Sequence, residues 1–223
     1  VAIRNPQSAI RNPQSAIECV KTTALTLLAL GGIAAAPAHA ADGLITITGE
    51  ITAQTCKING QTPPYNLLVA LPKISTSALK NTGDTAGSTV FQLKLSDCPE
   101  ALANQSLSAY FEAGPTVDYA TGNLLAYKTN ALPTEAANSL PNTGLGSSDV
   151  FSDMEIQLAN TDGSAIKIGS PAAEQNSKGV TAAKVNSTAS ATLTYLARYI
   201  KTGTGAIGAG KVQTYVQYSI VYP

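Results

Sequence analysis

The chain has 223 residues, 14 basic and 14 acidic, so its formal net charge is zero; 44% of its residues are hydrophobic and it has no tryptophan. This balance offers no basic stripe for a nucleic-acid backbone, and nucleic acid is not an expected partner. The single histidine, His39, lies in a segment expected to be removed, which leaves no imidazole for Ser-His-Asp or Cys-His chemistry and few routes to a zinc site.

In chain order, AIRNPQS at 2–8 recurs identically at 9–15. A Pro in each copy argues against a helix, and the duplication reads as an over-extended gene start rather than a structural repeat. Lys21, the apolar and small-residue run TTALTLLALGGIAAA at 22–36, and Ala38-His39-Ala40 have the order of a secretory signal peptide with its A-x-A site. The run is too short and too alanine-rich for a membrane span. Cleavage is expected after Ala40, leaving 41–223, long enough for one domain with a real core. Cys19 leaves with residues 1–40, and Cys56 and Cys98 remain; in an exported chain that pair reads as a disulfide. Eleven basic and thirteen acidic residues remain, a net charge of −2.

The next stretch, ADGLITITGEITAQTC at 41–56, alternates as a strand. Gly43, Ile45, Ile47, Gly49 and Ile51 share one face, and two of those five are glycines, which weaken a strand unless another backbone must come close. Further on, FQLKLSDC (91–98) sets Phe91, Leu93 and Leu95 against Gln92, Lys94 and Ser96. STSALK (75–80) has room for one helical turn, and LSAYFEA (107–113) is β-rich. MEIQLAN (154–160) and SAIKIGS (164–170) flank Thr161-Asp162-Gly163 and predict a hairpin. SATLTYLARYI (190–200) places Leu193, Tyr195 and Ala197 together. VQTYVQYSIVYP (212–223) places Val216, Tyr218, Ile220 and Tyr222 on one face. Loops rich in Gly, Pro, Ser and Asn are expected at 59–64, 81–88, 130–149 and 171–189. Many short strands with turn signals between them predict an all-β sandwich. Both ends of the exported chain are then amphipathic strands, and an unpaired strand edge invites another chain.

Two features imitate chemistry. GTGAIGAGK (203–211) fits both G-x-G-x-x-G and G-x-x-x-x-G-K, but Val212 stands where a Walker-type loop needs Ser or Thr, and a strand rather than a helix is expected to follow. Asp149, Asp153 and Glu155 cluster, but their spacing matches no calcium loop. Thirteen carboxylates with no aromatic-rich cleft do not make a glycosidase pair. No catalytic residue, cofactor or metal is expected.

The stretches GLITITGEITAQTCKI (43–58), LPKISTSALKNTGDTAGSTVFQLKLSDCP (71–99), YFEAG with DYATGNLLAYK (110–128), YLARYI (195–200) and VQYSIVYP (216–223) together resemble the major subunits of chaperone–usher fimbriae, the type 1-like pilins. Within that family the chain is most similar to the serotype fimbrial subunits of the whooping-cough bacterium. The resemblance implies an incomplete immunoglobulin-like sandwich that lacks its last strand. It implies a domain at 56–223 and a donor-strand extension at 41–55, in which Gly43, Ile45, Ile47, Gly49 and Ile51 face a neighbour's groove. Val216, Tyr218, Ile220 and Tyr222 would form the groove wall and the chaperone-binding edge. Implied partners are further copies of the chain, a periplasmic chaperone, an outer-membrane usher and a tip adhesin, and the implied location is a fimbrium on the cell surface.

Periodicity alone leaves open whether Ile45, Ile47 and Ile51 form an ordinary first strand on their own domain. It equally leaves a minor, adaptor or tip adhesive subunit, or a secreted monomeric immunoglobulin-like module, as alternatives to a repeating fibre subunit.

Overall fold

A computed structural model describes residues 45–52, 55–141, 145–146 and 149–223. The duplicated heptapeptide, the signal segment, Cys19, His39 and Gly43 lie outside the described residues. The chain divides into two units, Val1–Gly49 and Glu50–Pro223. Of the first, only residues 45–49 are described, and they carry no regular secondary structure.

Among its described residues the second unit contains eleven strands: β1 (Lys57–Ile58), β2 (Thr85–Pro99), β3 (Ser106–Phe111), β4 (Val117–Asp118), β5 (Asn123–Thr129), β6 (Val150–Asn160), β7 (Val180–Thr181), β8 (Ala183–Val185), β9 (Thr188–Lys201), β10 (Lys211–Gln213) and β11 (Tyr218–Val221). Two single 3₁₀ turns lie at Thr76–Ala78 and Glu100–Leu102. The first falls inside STSALK, with the Ser75 side chain accepting from Ser77 N at 3.2 Å as its cap.

All pairings are antiparallel. One sheet runs β1-β2-β9-β6-β5-β10, with β4 added to β5 and β8 to β9; the other is β11-β3-β7. The long β2–β9 pairing forms the spine, with Leu93 opposite Leu193 and Phe91 opposite Tyr195. Its inward side chains are those expected from alternation: Leu93, Leu95, Leu193, Tyr195 and Ala197 are buried. From the small sheet, Leu107, Ala109 and Phe111 of β3 close the core. Phe111 stands edge-on to Tyr195 at 5.4 Å and to Phe91 at 6.5 Å, so three rings join the two sheets. The disulfide Cys56–Cys98, 2.10 Å between sulfurs, is buried beside β1 and β2.

The structure differs from the sequence expectation at several places. Residues 212–223 are not one strand. β10 pairs with β5 in the large sheet, residues 214–217 carry no strand, and β11 pairs with β3 in the small sheet. A continuous alternating pattern cannot show where a chain crosses from one layer of a sandwich to the other. The hairpin after β6 has the expected turn, with Gly163 at φ 85, but its second arm makes only the Ala159–Ala165 bridge. Ile166 and Ile168 are nonetheless fully buried. β2 begins at Thr85, inside the expected 81–88 loop, and β7 and β8 lie inside the expected 171–189 loop.

Candidate functional site

β11 is an end strand of its sheet. On one side it pairs with β3, Tyr218 opposite Phe111 and Ile220 opposite Ala109. On the other side no strand pairs with it among the described residues. Val216, Tyr218, Ile220 and Tyr222 all point to the core face yet are only half-buried, while Gln217, Ser219 and Val221 between them are exposed. The inward side chains of this edge are therefore only partly covered.

Tied to this edge through Tyr65 is a segment without strand pairing, in which half-buried Tyr65, Leu67, Val69 and Leu71 alternate with exposed Asn66, Leu68 and Ala70. Hydroxyls from β11 and the residue after it bond to backbone groups of the 56–65 region. Tyr218 Oη donates to Tyr65 O at 2.8 Å, and Tyr222 Oη accepts from Cys56 N at 3.3 Å. Burial pushes the Tyr218 phenol up, and nearby Tyr65 adds to this, so the hydroxyl stays a donor beyond the ordinary phenol range.

Beside this segment, an open cleft of about 330 Å³ lies between Leu67–Ala70 and Thr89–Gln92, with Leu67, Val69 and the half-buried Phe91 among its lining and no titratable group. Its lining mixes apolar side chains with Thr89 and Gln92 and offers no acid–base group for proton transfer.

The second half of the arrangement is apolar and exposed. Ile45, Ile47 and Ile51 are 87%, 90% and 100% exposed, and a Cβ at Gly49 would meet nothing within 4 Å. Three isoleucines almost fully in water within seven residues cost roughly 1.5–3 kcal/mol each relative to burial.

A sequence model of the family described as type-1 fimbrial protein, A, matches residues 71–223. The chain belongs to that family. Among its relatives, the fimbrial protein FimX of Bordetella pertussis is 44% identical over 197 residues, covering 87% of this chain and 95% of that one. The serotype 2 fimbrial subunit of the same organism is 42% identical over 198 residues, covering 87% and 93%. Among solved structures, the P pilus rod subunit is similar at 15% identity and a TM-score of 0.45, covering 75% of this chain and 99% of that one. The protein is thus a fimbrial subunit, and the relatives it matches are structural fimbrial proteins rather than enzymes.

In this fimbrial subunit the glycine-rich segment 203–211 is an internal clamp. Gly205 N donates to Asp153 Oδ1 at 2.8 Å, Thr202 N donates to Asp153 O at 2.9 Å, and the buried Lys201 ammonium donates to Gly205 O. A carboxylate of the same chain thus occupies the amide that a phosphate would need, and β10 follows instead of a helix. The acidic trio is likewise taken apart. Asp153 serves this clamp, while Glu155 is buried and accepts from Thr121 Oγ1 at 2.7 Å and Asn123 Nδ2 at 2.9 Å. No group of three or more metal-ligating side chains gathers among the described residues.

Tyr65, Leu67, Val69 and Leu71, and Phe91 beside them, were not singled out by sequence as parts of this site. YNLLVAL at 65–71 is apolar at every position but Asn66, so the sequence did not show which of its side chains turn inward. Gln175, also unforeseen, is fully buried and holds both backbone groups of Phe111, donating to its O at 2.9 Å and accepting from its N at 2.8 Å.

Proposed function

We propose that the chain is a repeating structural subunit of a surface fimbria that polymerises by donor-strand exchange and thereby supports cell adhesion. In this reading residues 1–40 are removed on export, 41–55 form the donor extension and 56–223 form the acceptor domain. A periplasmic chaperone first lends a strand to the groove, an outer-membrane usher exchanges it for the extension of the next copy, and a tip adhesin ends the fibre. Gly43, Ile45, Ile47, Gly49 and Ile51 enter a neighbour's groove, whose wall is Val216, Tyr218, Ile220 and Tyr222.

The observation that supports this most is the half-buried apolar face of β11 beside an edge with no strand partner. It occurs in the same chain as a separate run of exposed isoleucines. Each lacks what the other supplies: a strand for the open core, and a core for the exposed strand. Adding a strand to an open sheet edge combines backbone hydrogen bonds with alternate side chains entering pockets. The gain is about 1 kcal/mol net per hydrogen bond on top of the isoleucine burial.

The test is assembly of residues 41–223, refolded with the disulfide intact and followed by sedimentation and native electrophoresis. The expected result is a ladder of oligomers that persists on dilution and disappears in an Ile45→Asp/Ile47→Asp variant whose monomer melts as the parent does. A parent chain that remains monomeric at every concentration would sink the proposal in favour of a secreted binding module.

A further inference from the structure

We infer that Tyr218 and Tyr222 form a latch across the acceptor groove, closed in the free subunit, which an incoming strand must open. This rests on the groove reading above and adds its regulation. Both phenols arise from the wall, Tyr218 within β11 and Tyr222 just beyond it. Both end on backbone atoms of the opposite side, Tyr65 O and Cys56 N. The phenols lie on the core-facing side of β11, where the inward side chains of a strand pairing with its free edge would enter. Ile220, between them, has no polar group with which to tie the two sides.

Such ties hold the open core narrow and give partners to two groups, Tyr65 O and Cys56 N, that would otherwise face an apolar gap. They also set an entry barrier. A strand cannot seat its inward side chains beside those of β11 until the hydroxyls release the far side. Once the strand is in place its own backbone offers alternative partners, so the ties slow entry more than they weaken the filled state.

A third tyrosine provides the control. Tyr199 of β9 donates from its hydroxyl to Pro72 O at 3.3 Å, tying down the same segment without spanning the gap beside β11.

The test follows uptake of a fluorescent peptide with the sequence of residues 41–55 by the full exported chain (41–223), alongside the rate of self-assembly. Tyr218→Phe, Tyr222→Phe and Tyr199→Phe variants are compared with the parent. The expected result is faster uptake and assembly for the first two, by about fivefold per hydroxyl removed, the rate equivalent of one ordinary net hydrogen bond. The melting temperature of the filled complex should stay unchanged, and Tyr199→Phe should behave as the parent. Equal rates for the parent and the Tyr218 and Tyr222 variants would overturn the latch while leaving the groove intact. Equal acceleration by Tyr199→Phe would also overturn it, by showing general loosening. Absence of peptide uptake and of assembly in every chain would overturn the groove reading itself.

Discussion

The hydroxyl of Tyr222 accepts a hydrogen bond from the backbone N–H of Cys56 at 3.3 Å, joining positions 166 residues apart. The same cysteine is bonded to Cys98 at the far end of β2. One residue therefore links the segment entering β1, the large sheet through Cys98, and the C-terminal strand region.

Loss of the disulfide should loosen all three at once. The bond closes a loop with a sequence separation of 42, so Cys56→Ser/Cys98→Ser is expected to lose about 4 kcal/mol of unfolding free energy on the chain-entropy account. Urea denaturation of oxidised, reduced and double-mutant chains checks this. The reduced parent and the double mutant should coincide, both well below the oxidised parent.

Glu155 should make the fold less stable as pH rises. Burial raises its pKa above the ordinary glutamate value, outweighing the hydrogen bonds from Asn123 and Thr121 that lower it, and the neighbouring Asp118 raises it further. A folded-state pKa above the unfolded one means the native chain holds the proton longer. This group's contribution to stability therefore falls as pH climbs from the ordinary glutamate range through the raised value. Glu155→Gln keeps an oxygen for Thr121 and Asn123 and removes the buried charge. The variant is expected to melt above the parent at neutral pH, with the difference closing below the ordinary glutamate pKa. A variant that melts lower at neutral pH would contradict this.

Gly203 and Asp153 should behave as a coupled pair. A Cβ at Gly203 would run into the Asp153 carboxylate, which is itself held by Gly205 N. Gly203→Ala is expected to cost about 1–3 kcal/mol through this crowding. Combined with Asp153→Ala, it should add much less than it costs alone. A double-mutant cycle by chemical denaturation measures this, and strict additivity would mean the loop accommodates the methyl elsewhere.

Much of the sandwich was legible because strand alternation reports burial directly. Leu93, Leu95, Leu193, Tyr195 and Ala197 are inside as their spacing implies, and Val216, Tyr218, Ile220 and Tyr222 do share the core-facing side of the final strand region. The crossing between β10 and β11 was hidden, because alternation continues through 214–217 while the hydrogen-bond partner changes from β5 to β3. β7 and β8 were hidden by shortness, since two- and three-residue strands carry too few positions to show a period. The inward side of 65–71 escaped notice because YNLLVAL is apolar at every position but Asn66, so only the structure separates half-buried Tyr65, Leu67, Val69 and Leu71 from exposed Leu68 and Ala70. Residues 45–52 read as a strand, yet they carry no strand in the single chain. A strand needs a second backbone to donate to and accept from, and sequence periodicity states only which face is apolar.

The most direct test is a thermal melt of residues 56–223, with the Cys56–Cys98 bond intact, alone and with a peptide of residues 41–55. A third sample carries the same peptide with Gly49→Trp. The account predicts a low melt for the domain alone, a rise of more than about 10 °C with the native peptide at saturating concentration, and little change with the bulky one. A domain that is already stable and melts identically in all three samples would mean a closed sandwich, and the chain would have no groove to fill.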